Sequence, residues 1–239
     1  MNFIEEGIIR ENYYVDHIPA IIWGEKAKKA YIYVHGKMSW KESAEEFAKI
    51  ASKKGYQTIS FDLPEHGERA QEDTPCDIWN GVDNLNQIAD YASQRWDTLS
   101  LYACSIGAHF SLYAYQDRSF LNCLFQSPIL DIEYLIGQIF KWYHITPEML
   151  REQRVIDTTL HKLSWDYYMY VKEHPIKEWR IPTCILYAGH DVLQSREVMQ
   201  QFCRNYEAQL TVAEDSDHGF AQGNDIQIEK EWLNNMINE

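Results

Sequence analysis

The pentapeptide Ala103-Cys104-Ser105-Ile106-Gly107 follows directly on the apolar stretch Thr98–Tyr102 and limits how the chain can turn at that point. A strand that bends sharply into a helix with one side chain thrust outward needs small residues two before and two after that side chain. Larger neighbours would collide across the turn. Ala103 and Gly107 bracket Ser105 at that spacing, whereas a frame centred on Cys104 would need Tyr102 and Ile106 as brackets, and neither fits. Sterics therefore select the serine over the adjacent thiol.

Such a pentapeptide is common by chance, and its weight comes from what accompanies it. Ala188-Gly189-His190-Asp191 follows the apolar run Thr183–Tyr187, and Asp217-His218-Gly219-Phe220 lies near the end of the chain. Upstream, His35-Gly36 closes the apolar run Ala30–His35. Serine, aspartate and histidine thus follow one another in the chain order of one particular strand-turn-helix architecture.

The remaining pattern supports a single domain over 1–239, a length that suits one large α/β unit. Residues 3–24 read as an antiparallel pair on either side of Arg10-Glu11-Asn12. Strands are expected at 30–35, 56–63, 98–103, 122–126, 183–187 and 210–214, with helices at 39–54, 77–96, 106–115 and 226–237. Strands alternating with helices at this spacing imply right-handed crossovers and a doubly wound, mostly parallel sheet. The stretch 130–180 is far longer than an ordinary crossover and rich in Trp, Tyr and Phe. It is expected to be an inserted helical lid, or cap, over the carboxyl ends of the strands, its aromatics mostly packing and a minority lining a pocket.

A formal charge of −14 disfavours nucleic acid and anionic membranes as partners and mildly favours neutral or cationic ligands. No apolar stretch approaches a membrane span, and Met1–Glu6 has neither a basic nor an apolar leader region. Five cysteines, with Cys104, Cys123 and Cys184 on expected strands, read as reduced packing residues of a cytoplasmic protein. None has zinc-ligand spacing, so no metal or other cofactor is expected.

Together His35-Gly36, Asp62-Leu63-Pro64-Glu65-His66-Gly67, the turn at Ser105, Asp191 and Asp217-His218-Gly219 resemble the α/β-hydrolase superfamily over nearly the whole chain. The segment Phe61–Arg69 looks like that of small bacterial serine esterases near the dienelactone-hydrolase and prolyl-oligopeptidase branches. Ala103 and Glu65 stand where many relatives carry glycine, and Lys37-Met38 replaces a multi-glycine loop.

The resemblance implies Ser105 as nucleophile, against an ordinary role as helix cap, and His218 as its base. Asp191 would orient the imidazole, with Asp131 as the rival acid one strand earlier. The backbone N–H groups of Ile106 and Lys37 would form an oxyanion hole, leaving the Lys37 ammonium free to be solvated. His35 and His66 would hold loops, and His109 would pack against the sheet. The implied activity is cleavage of a small carboxylic ester through an acyl-enzyme. An aminopeptidase or amidase (with Glu65 and Glu68 gripping an amine), a thioesterase and a catalytically silent binding protein stay open as alternatives.

Overall fold

The computed structural model describes residues 7–238. The chain begins with a hairpin of β1 (Arg10–Val15) and β2 (Ile18–Trp23), then β3 (Lys29–Val34), α1 (Glu45–Lys53), β4 (Gln57–Phe61) and α2 (Ile78–Arg95). It continues through β5 (Thr98–Cys104), α3 (Ile106–Tyr115) and β6 (Cys123–Gln126). An insert of α4 (Ile132–Tyr143), α5 (Pro147–Gln153), the hairpin β7 (Val155–Asp157) and β8 (Lys162–Ser164), and α6 (Trp165–Glu173) follows. The chain closes with β9 (Thr183–Ala188), α7 (Arg196–Tyr206), β10 (Gln209–Ala213) and α8 (Asp225–Met236).

Eight strands form one sheet in the order β1-β2-β4-β3-β5-β6-β9-β10. The pairs β1/β2 and β2/β4 are antiparallel and the other neighbours parallel. Central strands are buried on both faces, which is why they read as unbroken apolar runs. Alternate residues still serve opposite layers. Tyr31 and Tyr33 pack with Phe47 and Ala48 of α1 and Trp232 and Leu233 of α8. Ile32 and Val34 join Leu85 of α2, Phe110 and Leu112 of α3 and Met199 of α7 on the other face.

This topology creates a crevice where the site will lie. From β3 the chain crosses to β4 on one side, then back over β3 to β5 on the other. The helices following β3 and β5 leave on opposite faces, so their preceding loops diverge at the carboxyl end of the sheet, the usual location for a ligand in such folds. Val34 pairs with Ala103 at the ends of β3 and β5, so His35-Gly36 and Ser105 emerge side by side.

Two expectations need correction. The first hairpin does not turn at Arg10-Glu11-Asn12, which continue β1; it turns at Asp16-His17, with Asp16 at φ 52°. The polar triplet marks an exposed edge strand, and Asp tolerates the left-handed conformation that a two-residue turn needs. Residues 3–6 of the expected pair lie outside the described residues. The stretch 130–180 is not wholly helical, since β7 and β8 form a separate antiparallel hairpin within it. Its helices open on side chains that accept from the first turn, namely Asp131, Thr146 (followed by Pro147) and Ser164.

The loop after β4 is held by a buried ion pair. Asp62, fully buried, accepts from Lys41 Nζ at 2.8 Å, from Lys41 N at 2.8 Å and from Glu68 N at 3.0 Å. Glu68 closes the network on Lys41 Nζ at 2.8 Å and accepts from the Tyr14 hydroxyl at 2.8 Å. Burial works against the Lys41 charge, but hydrogen bonds to Asp62 and Glu68 outweigh it and raise its pKa. Gly67, at φ 53°, passes so close that a Cβ there would lie 2.2 Å from Asp62 Oδ1. Removing one partner strands a buried charge. Asp62→Ala should therefore lower unfolding free energy by on the order of 3 kcal/mol in urea titrations; a loss within error of zero would refute this account of the loop.

Candidate active site

Ser105 sits between β5 and α3 with φ 50° and ψ −120°, a conformation that costs energy for any residue with a Cβ. The turn is tight because α3 starts against the end of β3: a Cβ on Gly107 would lie 2.5 Å from the His35 carbonyl oxygen. Backbone bonds fix the turn from both sides, Ser105 N–H donating to Gln126 O and Ile129 N–H to Ser105 O, each at 3.1 Å. Although Ser105 occupies the cap position of α3, its hydroxyl makes no capping bond. Instead Ser105 Oγ lies 2.9 Å from His218 Nε2.

On its other side the imidazole of His218 has Nδ1 2.7 Å from Asp191 Oδ2. A carboxylate can only accept, so Nδ1 carries the proton and Nε2 presents its lone pair to the Ser105 hydroxyl. Asp191 has a fully buried side chain, while that of His218 is 23% exposed. The second oxygen of Asp191 is used as well, accepting from Leu193 N–H at 2.8 Å and Gln194 N–H at 3.3 Å.

Three loops must converge for this line to form, and each is tied down. The loops after β9 and β10 are joined by Gly189 N–H to Ala213 O at 2.7 Å and His190 N–H to Ser216 O at 3.0 Å. They approach so closely that a Cβ on Gly189 would lie 2.2 Å from Glu214 O. Asp225, at the start of α8, accepts from the Ser216 hydroxyl at 2.7 Å and from Gln222 N–H at 3.2 Å, bracketing the His218 loop. Gln194, fully buried, clips the loops after β6 and β9 together through Asp131 N, Leu130 N and the Asp131 carbonyl. Neither Asp225 nor Gln194 was legible in the sequence, because an amide or carboxylate in a polar loop carries no local signature.

Asp131, the rival acid, does not reach His218; its side chain caps α4 by accepting from Tyr134 N–H at 2.8 Å. His35 Nδ1 donates to the Gly36 carbonyl at 2.7 Å and Nε2 accepts from Leu63 N–H at 3.1 Å. In a trans peptide the carbonyl and the following N–H point opposite ways, so this bond turns the Lys37 N–H away from His35. The Gly36–Lys37 peptide lies against the Ser105 turn, since a Cβ on Gly36 would be 3.0 Å from Ser105 Cβ. Neither Lys37 N–H nor Ile106 N–H donates to a protein acceptor among the described residues. Both remain available to an oxygen near Ser105.

His66 holds its own loop through the Pro64 carbonyl at 2.8 Å. His109 is buried, its ring 5.1 Å from that of Tyr113 on its own helix and 6.1 Å from that of Tyr167 in the insert. Glu65 adopts φ 62°, which explains why glycine suits this position, and its carboxylate accepts from Cys76 N–H at 2.9 Å. Within the insert, Tyr167 and Tyr168 are buried and Phe140 meets Tyr168 edge-on at 5.5 Å, so these aromatics pack. A cleft of about 630 Å³ opens between α3, α7 and the two ends of the insert, with His109, Leu130 and Val198 in its wall and none of Ser105, Asp191 or His218 lining it.

Known structures share this arrangement of sheet and helices. Est1E from Butyrivibrio proteoclasticus, solved with ferulic acid bound, aligns with TM-score 0.70 at 14% identity, over 95% of this chain and 97% of that one. The chain has the α/β-hydrolase fold. Mouse alpha/beta hydrolase domain-containing protein 10 aligns with TM-score 0.71 at 14% identity, over 97% and 98% of the two chains. A monoacylglycerol lipase from Paleococcus ferrophilus gives TM-score 0.66 at 14% identity, over 92% and 99%. No protein-family model and no curated protein sequence matches the chain.

Burial pushes the pKa of His35 down to about 4, so folding disfavours the protonated ring. A histidine unfolded at pH 5 binds more protons than this one does folded. Its stabilising contribution is therefore complete above the ordinary histidine value near 6.5 and is lost progressively as pH falls toward about 4. Unfolding free energy should decline across that window, and His35→Gln should make the decline shallower; parallel pH profiles in urea would contradict this role.

Proposed function

We propose that this protein is a serine hydrolase that cleaves a small carboxylic ester through an acyl-enzyme. The observation that carries the reading is the unbroken hydrogen-bonded line from Asp191 through His218 to a serine held at φ 50°. A serine hydroxyl is a weak nucleophile until a base within reach takes its proton, and Nε2 stands at that distance with its lone pair free. Ser105 Oγ attacks the ester carbonyl carbon as its proton passes to His218. The carbonyl oxygen becomes an oxyanion facing the N–H groups of Lys37 and Ile106, donors of a kind worth a few kcal/mol each in the transition state.

Collapse of the tetrahedral intermediate breaks the carbon–oxygen bond to the alcohol, which leaves with the proton from His218. Water then attacks the acyl-serine, giving its proton to the same imidazole, and the acid departs as Ser105 regains its hydrogen. Asp191 keeps the ring in the required tautomer throughout and stabilises the imidazolium. The insert would act as a cap over this centre. A small ester is the favoured class because neutral substrates suit a strongly acidic protein, and because one neighbour in structure holds ferulic acid and another is a monoacylglycerol lipase. The Phe61–Arg69 segment is the feature that favours a place near the dienelactone-hydrolase branch.

Existing contacts weigh against the amidase alternative: Glu68 is bound to Lys41 and Tyr14, and one oxygen of Glu65 accepts from Cys76 N–H.

Ser105→Ala should keep the parent's melting temperature and lose turnover of short p-nitrophenyl esters by at least about 10³-fold. A fluorophosphonate probe should label the parent at Ser105; an active Ser105→Ala variant would dispose of the assignment. Turnover should fall on acidification, because a protonated imidazole cannot accept the serine proton. A rate constant that does not change on acidification of the folded protein would remove His218 from the mechanism.

A further inference from the structure

The Lys37 side chain, though exposed, has a partner in the protein. Its ammonium donates to the carbonyl oxygen of Leu160, in the tip of the β7–β8 hairpin of the insert. That tip is a built turn. The Thr158 N–H and hydroxyl both donate to the His161 carbonyl, at 3.2 and 2.6 Å, and His161 N–H returns to the Thr158 hydroxyl at 2.9 Å. The Tyr143 and Thr159 hydroxyls meet alongside, tying the tip to α4. Leu160 therefore offers its carbonyl from a fixed position.

At the other end of the same residue lies the backbone N–H assigned to the oxyanion. The peptide carrying it is gripped on one side by His35 through the Gly36 carbonyl. Beyond it the chain enters Met38 at φ 62°, a residue 86% exposed, so its side chain has little packing to hold it. The turn thus has an anchor before Lys37 and none from the Met38 side chain after it. The bond to Leu160 supplies the missing one, and it comes from the insert rather than from the sheet.

We propose that Lys37 is a positioning residue whose ammonium, seated on the Leu160 carbonyl, holds its own N–H in donor geometry. Docking of the insert is thereby coupled to assembly of the oxyanion site. The proposal rests on the serine-hydrolase reading above. Because an oxyanion exists only after attack, loosening its donor weakens the transition state and leaves ground-state binding of the ester alone. The signature is a lower kcat at unchanged KM. A lysine that instead touched substrate would show the reverse, a raised KM at unchanged kcat.

The test uses the full chain and p-nitrophenyl butyrate, with Lys37→Met, Lys37→Arg, Thr158→Val and the Lys37→Met/Thr158→Val pair. Lys37→Met should lower kcat about tenfold with KM unchanged, since small displacements of positioned groups have effects of that order. Lys37→Arg, which keeps a donor, should recover most of the loss. Thr158→Val, which removes the hydroxyl that shapes the tip, should lower kcat in the parent and have no further effect in the Lys37→Met background. Hydrogen exchange at 158–162 should quicken in Lys37→Met. Parental kcat in Lys37→Met, a change confined to KM, or losses that multiply in the double variant would each overturn the proposal. Fluorophosphonate labelling of the same preparations separates the two levels. A labelled, active parent with an unimpaired Lys37→Met variant refutes the positioning role alone, whereas an unlabelled parent refutes the hydrolase reading and the proposal with it.

Discussion

The contact between Gly107 and the His35 carbonyl is the constraint on which the rest of the site depends. A single Cβ at position 107 would sit 2.5 Å from that oxygen, so α3 could not begin where it does. Moving α3 outward would relax the turn at Ser105, withdraw its hydroxyl from His218 and open the gap to the Gly36–Lys37 peptide. One missing methyl group therefore permits the strained serine, the alignment of the hydroxyl and the closeness of two N–H groups. The strain is held by the surrounding backbone bonds to Gln126 and Ile129.

What could be read from the sequence followed from sterics and periodicity. Ala103 and Gly107 announce the turn at Ser105 because only small residues fit on either side of it, and the buried strands announce themselves because both faces are covered. The boundaries of α3 are those expected, Ile106–Tyr115. The first hairpin was misplaced because a polar triplet signals an exposed edge as readily as a turn, and only tertiary context separates the two. The β7–β8 hairpin is three residues per strand, too short for an alternation to register.

The polar ties were the least legible part. Asp62 with Lys41, Gln194 with the Asp131 backbone, and Asp225 with Ser216 join residues far apart in the chain or hidden in polar loops. Their effect exists only once the sheet has set the loops side by side. Lys37 shows the same limit: sequence reasoning reached its N–H through the position after His35-Gly36, but assigned its ammonium to water. A side chain's partner more than a hundred residues away leaves no mark on local pattern.

The insert departs from the carboxyl end of β6 and returns to the amino end of β9, two strands that lie next to each other in the sheet. Its own helices are capped from within, and its hairpin pairs with itself. Such a segment is a module. Its length and sequence can vary while the strands that bear Ser105, Asp191 and His218 keep their register, provided the one carbonyl that meets Lys37 is kept in place.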